Sequence, residues 1–225
     1  MPPNVAQTLR MRAELFGHAG RLFRLRGYAG TSVDDIMLAA GLTRGSFYAH
    51  FESKEELFAQ VVGSGQGLLW KLRSKDAQPM AVLDAYLAKE DLAATAQDCT
   101  LAALPGDVVR GPLAAQLAYA NVLQAAIGEM ARGRSRKLDP DATAAAILAI
   151  GAVILARASG DRRLSDWLLR CARLAARALL RPKPKPKPKT KRRRASPKRR
   201  RSRSPRKAVA ARRPRRAAPS RAGRA

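Results

Sequence analysis

The sequence has only two cysteines and two histidines, and no stretch alternates apolar and polar residues as a strand would. Cys99 and Cys171 lie far apart and form no C-x-x-C pair, which leaves a disulfide scaffold or a zinc site without support. His18 and His50 fall on different predicted helices. There is no G-x-S-x-G, no pair of carboxylates in an apolar setting, and no histidine near either cysteine in sequence. A nucleophile and its base therefore cannot be assembled, and the chain is expected to be no enzyme and to need no cofactor or metal. Long apolar runs are missing as well. The longest, residues 142–156, is 15 residues with Thr143 inside it, whereas a membrane span needs about 20. MPPNVAQTLRMRAEL has no apolar run of the signal-peptide kind. The expectation is a soluble, cytoplasmic protein with no membrane partner.

Asp and Glu are absent from residues 181–225, which hold 22 of the 44 Lys and Arg. The preceding residues set the other 22 against all 17 acids, so that part is nearly balanced while the tail is a polycation. In PKPKPKPK every second residue lacks an amide proton and like charges repel, so no helix continues there. On composition, residues 181–225 form a disordered basic tail. Such a tail would neutralise phosphates and add nonspecific affinity for DNA; the alternative is a solvated tail that touches nothing. Ser196-Pro197-Lys198-Arg199 and Ser204-Pro205-Arg206-Lys207 resemble, briefly, the S-P-K/R-K/R units of linker-histone tails.

Everything before the tail reads as helix. Helix 1 spans about 8–26, with Leu15, Phe16, Ala19, Leu22 and Phe23 as its apolar stripe. Arg10 and Arg12 lie off that stripe, either on a solvated face or along a phosphate backbone. Pro79, Pro112 and Pro140 suit first helical turns, and further helices are expected at about 79–90, 97–104, 112–132, 140–157 and 163–180. The stretches 104–111 and 133–138 read as loops. Gly63, Gly65 and Gly67 in GSGQG put the continuity of the fourth helix in doubt, as a hinge or as a site of close helix packing. Residues 144–155 are apolar on every side and must be covered on more than one face. Leu164, Trp167, Leu168, Cys171 and Leu174 form one stripe of the last helix. With Ile147 and Ile154, they would join a second subunit in a four-helix interface, or else be the core of a monomer.

The most informative stretch is TSVDDIMLAAGLTRGSFYAHFESKEEL, residues 31–57. Ser32 with Asp35, and Ser53 with Glu56, have capping-box spacing. Val33, Ile36, Met37 and Ala40 recur at helical spacing, and Gly41 ends that helix with a left-handed residue. Thr43 caps the next helix, which carries Phe47 and Phe51 on one face. Two short helices around a tight glycine turn have the spacing of a helix-turn-helix unit, whose second helix would enter the DNA major groove, and equally that of a structural helical hairpin.

The run VDDIMLAAGLTRGSFYAHFESKEELF resembles the DNA-binding signature of the TetR family of bacterial repressors. The resemblance covers about residues 9–62 and rests on the Ala-Gly-Leu turn, Arg-Gly-Ser, Phe-Tyr-x-His-Phe and the Ser-Lys-Glu cap. It implies an all-α protein. A three-helix DNA-binding domain at 8–66 (motif about 32–51) would be followed by a larger helical ligand-binding and dimerisation domain at 67–180. It implies that Thr43, Arg44, Gly45 and Ser46 face base edges, with Arg44 the best reader because its fork matches guanine O6 and N7. It implies that Tyr48, His50 and Lys54 touch phosphate. Thr31 and Ser32 would offer a hydroxyl or amide to phosphate at the start of helix 2.

A small-molecule inducer would occupy a pocket lined by residues such as Leu83, Tyr86, Leu87, Leu117, Tyr119 and Ile127, though ordinary core packing accounts for the same residues. The resemblance puts Cys99 at a cysteine position seen in some relatives, a few of which sense electrophiles; a small buried hydrophobe is the plainer reading. The expected function is a homodimeric, ligand-responsive regulator on a palindromic operator in double-stranded DNA. The alternative is a nucleoid-associated architectural protein held to DNA chiefly by its tail.

Overall fold

Ser32 and Ser53 start two of the helices from which the fold is built. Each side-chain oxygen accepts from the amide three residues on, at 3.0 Å from Asp35 and 3.1 Å from Glu56. Asp35 closes the first box by accepting from the Ser32 amide at 2.8 Å. Glu56 reaches one residue further back than expected and accepts from the Glu52 amide at 2.6 Å. The structure, a computed structural model, describes residues 5–88, 98–132 and 138–181. The chain divides into a unit at Met1–Lys183 and a stretch at Pro184–Ala225. The latter lies outside the described residues, and with it the expected disorder of the tail.

The described residues form eleven helices and no strand: α1 Val5–Arg26, α2 Val33–Ala39, α3 Arg44–Phe47, α4 Lys54–Gly63, α5 Leu68–Leu72, α6 Pro79–Tyr86, α7 Thr100–Ala103, α8 Pro105–Arg110, α9 Leu113–Met130, α10 Pro140–Ala158 and α11 Arg162–Leu180. Two hydrophobic cores result. In the first, Leu15, Ala19 and Phe23 of α1 meet Ile36 and Met37 of α2, Phe47 of α3, and Leu57, Phe58, Val61 and Val62 of α4. Phe23 and Phe58 meet edge to face at 5.2 Å. Leu104, Val108 and Ala115 complete this core from the later helices. The second core gathers residues of α5, α6, α7, α9, α10 and α11.

Several expectations are corrected. α8 occupies the stretch 104–111 read as a loop, with Pro105 at its first turn. α3 is a single turn, after which the chain leaves the helix at Tyr48. The Gly-rich run breaks α4 and divides its tasks. Gly63 ends the helix, and a Cβ there would lie 3.7 Å from Ala118 Cβ, an ordinary packing distance. Gly65 and Gly67 take φ of 62° and 94°, and a Cβ on Gly67 would stand 2.5 Å from Cys99 Cα. Only glycine meets both demands at Gly67.

By length and composition alone α10 is apolar enough to cross a membrane. Here it is packed against α7, α9 and α11, with eight buried residues. Leu83, Tyr86, Leu87 and Ile127 are buried in the second core, and Tyr119 packs against both cores while donating to the Leu101 carbonyl at 2.8 Å. Leu117, expected to line a pocket with them, is instead 58% exposed. The buried stripe of α9 runs through Ala115, Val122 and Ala126, and a residue two places past Ala115 points about 200° around the helix.

Candidate nucleic-acid interface

The geometry of the helix-turn-helix starts from α2. Its capping box sets the entry, and Ile36 and Met37 anchor it in the first core. Hydrogen bonds from Ser32, side chain first and then backbone, hold the Asp35 carboxyl below its ordinary range. Gly41 (φ 68°) turns the chain, and the Leu42 amide donates back to the Met37 carbonyl at 2.9 Å. Phe47, fully buried, then fixes α3. What remains outward on α3 is Thr43, Arg44, Gly45 and Tyr48. Thr43 is the N-cap residue and makes no side-chain bond to the α3 backbone; its hydroxyl lies 3.3 Å from that of Ser46. A Cβ on Gly45 would meet nothing within 4 Å, so the surface there is open. Tyr48 is 58% exposed, its ring edge-on to Phe47. Arg44 Nη1 donates to Asp34 Oδ2 at 2.8 Å across the turn.

The other expected phosphate contacts are differently placed. Thr31 is a correction: it is 0% exposed, and its hydroxyl donates to the Gly27 carbonyl at 2.9 Å, closing the end of α1. A buried hydroxyl with its proton so committed has nothing to offer a phosphate. Ser32 is exposed but its side chain is used in the capping box. Lys54 donates to the carbonyls of Tyr28 and Thr31 at 3.2 and 3.1 Å and stands 4.2 Å above the Tyr28 ring. It ties α4 to the α1–α2 loop. His50 is half-buried, and its carbonyl accepts from Arg12. Arg12 also covers the Phe51 ring at 4.3 Å and donates to Gln60 at 3.1 Å. It joins α1 to α4 and is no bare solvated residue. Arg10 is exposed.

Sequence reasoning missed Tyr28 as the hub of this support. Its hydroxyl donates to Glu55 at 2.6 Å and its ring lies 4.6 Å from Phe58. Burial, then the bond and charge of Glu55, push its pKa up to about 12. It also missed Asp34 and Leu38, one turn apart on the outward side of α2, with Leu38 81% exposed. Their i, i+4 spacing was the available signal.

A second surface lies on α10 and α11. Ile147, Leu164, Trp167, Cys171 and Leu174 are exposed and Leu168 is half-buried. Ile147, Gly151 and Leu155 of α10 and Leu168, Cys171 and Ala175 of α11 line an open apolar groove. Ile154 is a correction. It packs against the second core and shares a cleft with Ala102, Ala103 and Pro105. α7 packs against α10 on that flank, a tertiary contact with no trace in the heptad spacing of Ile147 and Ile154.

A capped helix and a short outward-facing helix, joined by a glycine turn and packed with α1 and α4, define a helix-turn-helix protein. Residues 15–61 match the family model described as bacterial regulatory proteins, tetR family. That match lies within the N-terminal domain of the chain. The chain is 46% identical over 52 residues to the HTH-type transcriptional repressor DhaR of Mycobacterium sp. (strain GP1), which is 23% of this chain and 26% of that protein. It is 45% identical over 51 residues to the HTH-type transcriptional repressor KstR2 of Rhodococcus jostii (strain RHA1), or 23% of this chain and 25% of that protein. The chain thus matches about a quarter of the length of these curated relatives.

Among solved structures, reduced E. coli NemR superposes with a TM-score of 0.60 at 20% identity, over 75% of this chain and 96% of that one. A TetR-family transcriptional regulator from Agrobacterium tumefaciens gives 0.55 at 23% identity, over 74% and 97%. These likenesses extend the shared all-helical fold beyond the N-terminal domain. The matched family and relatives are regulators rather than enzymes, and they give the architectural, nucleoid-associated alternative no support.

Proposed function

We propose that this protein is a transcriptional repressor that binds a palindromic operator as a homodimer. The observation that carries the reading is the exposed start of α3, where Thr43, Arg44 and Gly45 stand open beside Tyr48 on a domain of the tetR family. In this reading Arg44 reads a guanine and Tyr48 and the α2–α3 surface meet phosphates. Two copies pair through α10 and α11, whose exposed Ile147, Leu155, Trp167 and Leu174 would otherwise leave a large apolar patch in water. A dimer presents two α3 helices to half-sites about one helical turn apart. Residues 67–180 form the dimerisation part and respond to a small molecule, while residues 181–225 add nonspecific affinity for DNA.

Selection of random duplexes by the full chain tests the proposal. The expected result is an enriched motif with two inverted half-sites. Enrichment of no motif, or of a single unrepeated one, would overturn it.

A further inference from the structure

The outward side of α2 carries an acid where a DNA-facing surface would be expected to be neutral or basic. Asp34 sits in the first turn of α2, its side chain 60% exposed, and its carboxylate receives Arg44 Nη1 at 2.8 Å; the Arg44 side chain is 62% exposed. An ion pair in open water stabilises the fold little. Its consequence here is geometric. α2 is anchored by the capping box and by buried Ile36 and Met37, and α3 by Phe47, all in the same core. A carboxylate anchored on one and a long side chain on the other restrict the directions the guanidinium can take. Guanidinium has five N–H donors, and Asp34 engages one terminal nitrogen, leaving Nη2 and Nε to form a fork.

We propose that Asp34 is a positioning residue for Arg44, holding the guanidinium so that its free edge meets O6 and N7 of a guanine. The inference rests on the reading of Arg44 given above. It assigns specificity to a residue that itself touches no base. Near phosphates a carboxylate weakens attraction, so Asp34 exchanges overall affinity for discrimination.

The test uses full-length protein, random-duplex selection, and the variants Asp34→Ala, Asp34→Asn, Arg44→Ala and the double Asp34→Ala/Arg44→Ala. Arg44→Ala should abolish a guanine preference at one position in each half-site. Asp34→Ala should reduce that same preference about three- to tenfold while binding random duplex as well as, or better than, the unaltered protein. Asp34→Asn keeps an acceptor oxygen and should retain more of the preference than Asp34→Ala. In the Arg44→Ala background the Asp34 change should leave base preference where it was. If Asp34→Ala raises affinity for every duplex with base preferences intact, Asp34 is a repulsive charge only and the proposal fails. If Arg44→Ala leaves base preference unchanged, the reading of Arg44 fails, and the role of Asp34 with it.

Discussion

The Tyr28 amide donates to Asp107 Oδ1 at 2.8 Å, linking residues 79 apart in the chain. The contact joins α8 to the loop that leads into α2. Its closeness is built into Gly27, whose φ is 78° and where a Cβ would come within 2.7 Å of the same carboxylate oxygen. From the other side, Lys54 and Glu55 of α4 hold Tyr28 by its carbonyl and hydroxyl. The α1–α2 loop is therefore clamped between α4 and α8.

Asp107→Ala should unpair the Tyr28 amide at a cost of about 1–3 kcal/mol. Asp107→Asn, which keeps an acceptor oxygen, should cost less. Hydrogen exchange should accelerate at residues 27–32 in the alanine variant and leave α10 and α11 as they were. Uniform acceleration throughout would mean that Asp107 serves global stability and no local clamp.

The glycines of GSGQG should respond differently to alanine. Gly67→Ala forces a side chain into a left-handed backbone and against Cys99, and should destabilise by at least about 2 kcal/mol. Gly63→Ala places its methyl 3.7 Å from Ala118 at a helix end, and should be neutral or stabilise by up to about 1 kcal/mol. Thermal melts of the two variants compare them; equal melting temperatures would contradict the packing described.

Trp167 is 59% exposed and lies on the proposed subunit interface. Trp167→Glu should give folded monomers, because the charge stays in water once the partner is gone, while burying it in a dimer is costly. Light scattering with circular dichroism reads both properties. A monomeric unaltered protein at micromolar concentration would remove the interface.

Tyr28 has its pKa raised from 10.0 to about 12 by burial and by Glu55. The folded state thus holds this proton more tightly than the unfolded state. That contribution is complete below pH 10 and is lost as pH rises through about 12. Tyr28→Phe removes the phenol and should flatten this part of the alkaline stability loss, leaving the share due to Tyr86 and Tyr119, which are also raised. An unchanged alkaline profile in Tyr28→Phe would place the loss elsewhere.

Deleting residues 182–225 removes most of the chain's excess positive charge. The logarithm of affinity falls with the logarithm of salt concentration by about 0.9 per neutralised phosphate. Truncated protein should therefore show a flatter slope and weaker binding to random duplex, with the operator motif retained. Equal slopes for full-length and truncated protein would mean that the tail does not touch DNA.

Local chemistry decided what could be read without a fold. The Ser32 capping box, the Gly41 turn and the spacing of Ile36, Met37 and Phe47 act within a few residues, so the helix-turn-helix and the all-helical class stood in the sequence. The polycation from Arg181 onward is a matter of composition alone. The tertiary structure decided which residues are free to act. Thr31 and Lys54 have the chemistry for phosphate, but the Gly27 carbonyl takes the Thr31 hydroxyl and the Tyr28 and Thr31 carbonyls engage two of the three Lys54 donors. Ile154 has the spacing of an interface residue, yet it packs against the second core beside α7, and Leu117 turns away from a core that begins two residues earlier. Periodicity ranks the faces of one helix; which neighbour covers a face is set by chain segments tens of residues away. The Arg44–Asp34 and Tyr28–Asp107 contacts belong to that second kind, since each joins side chains or backbone that only the packed helices bring within 3 Å.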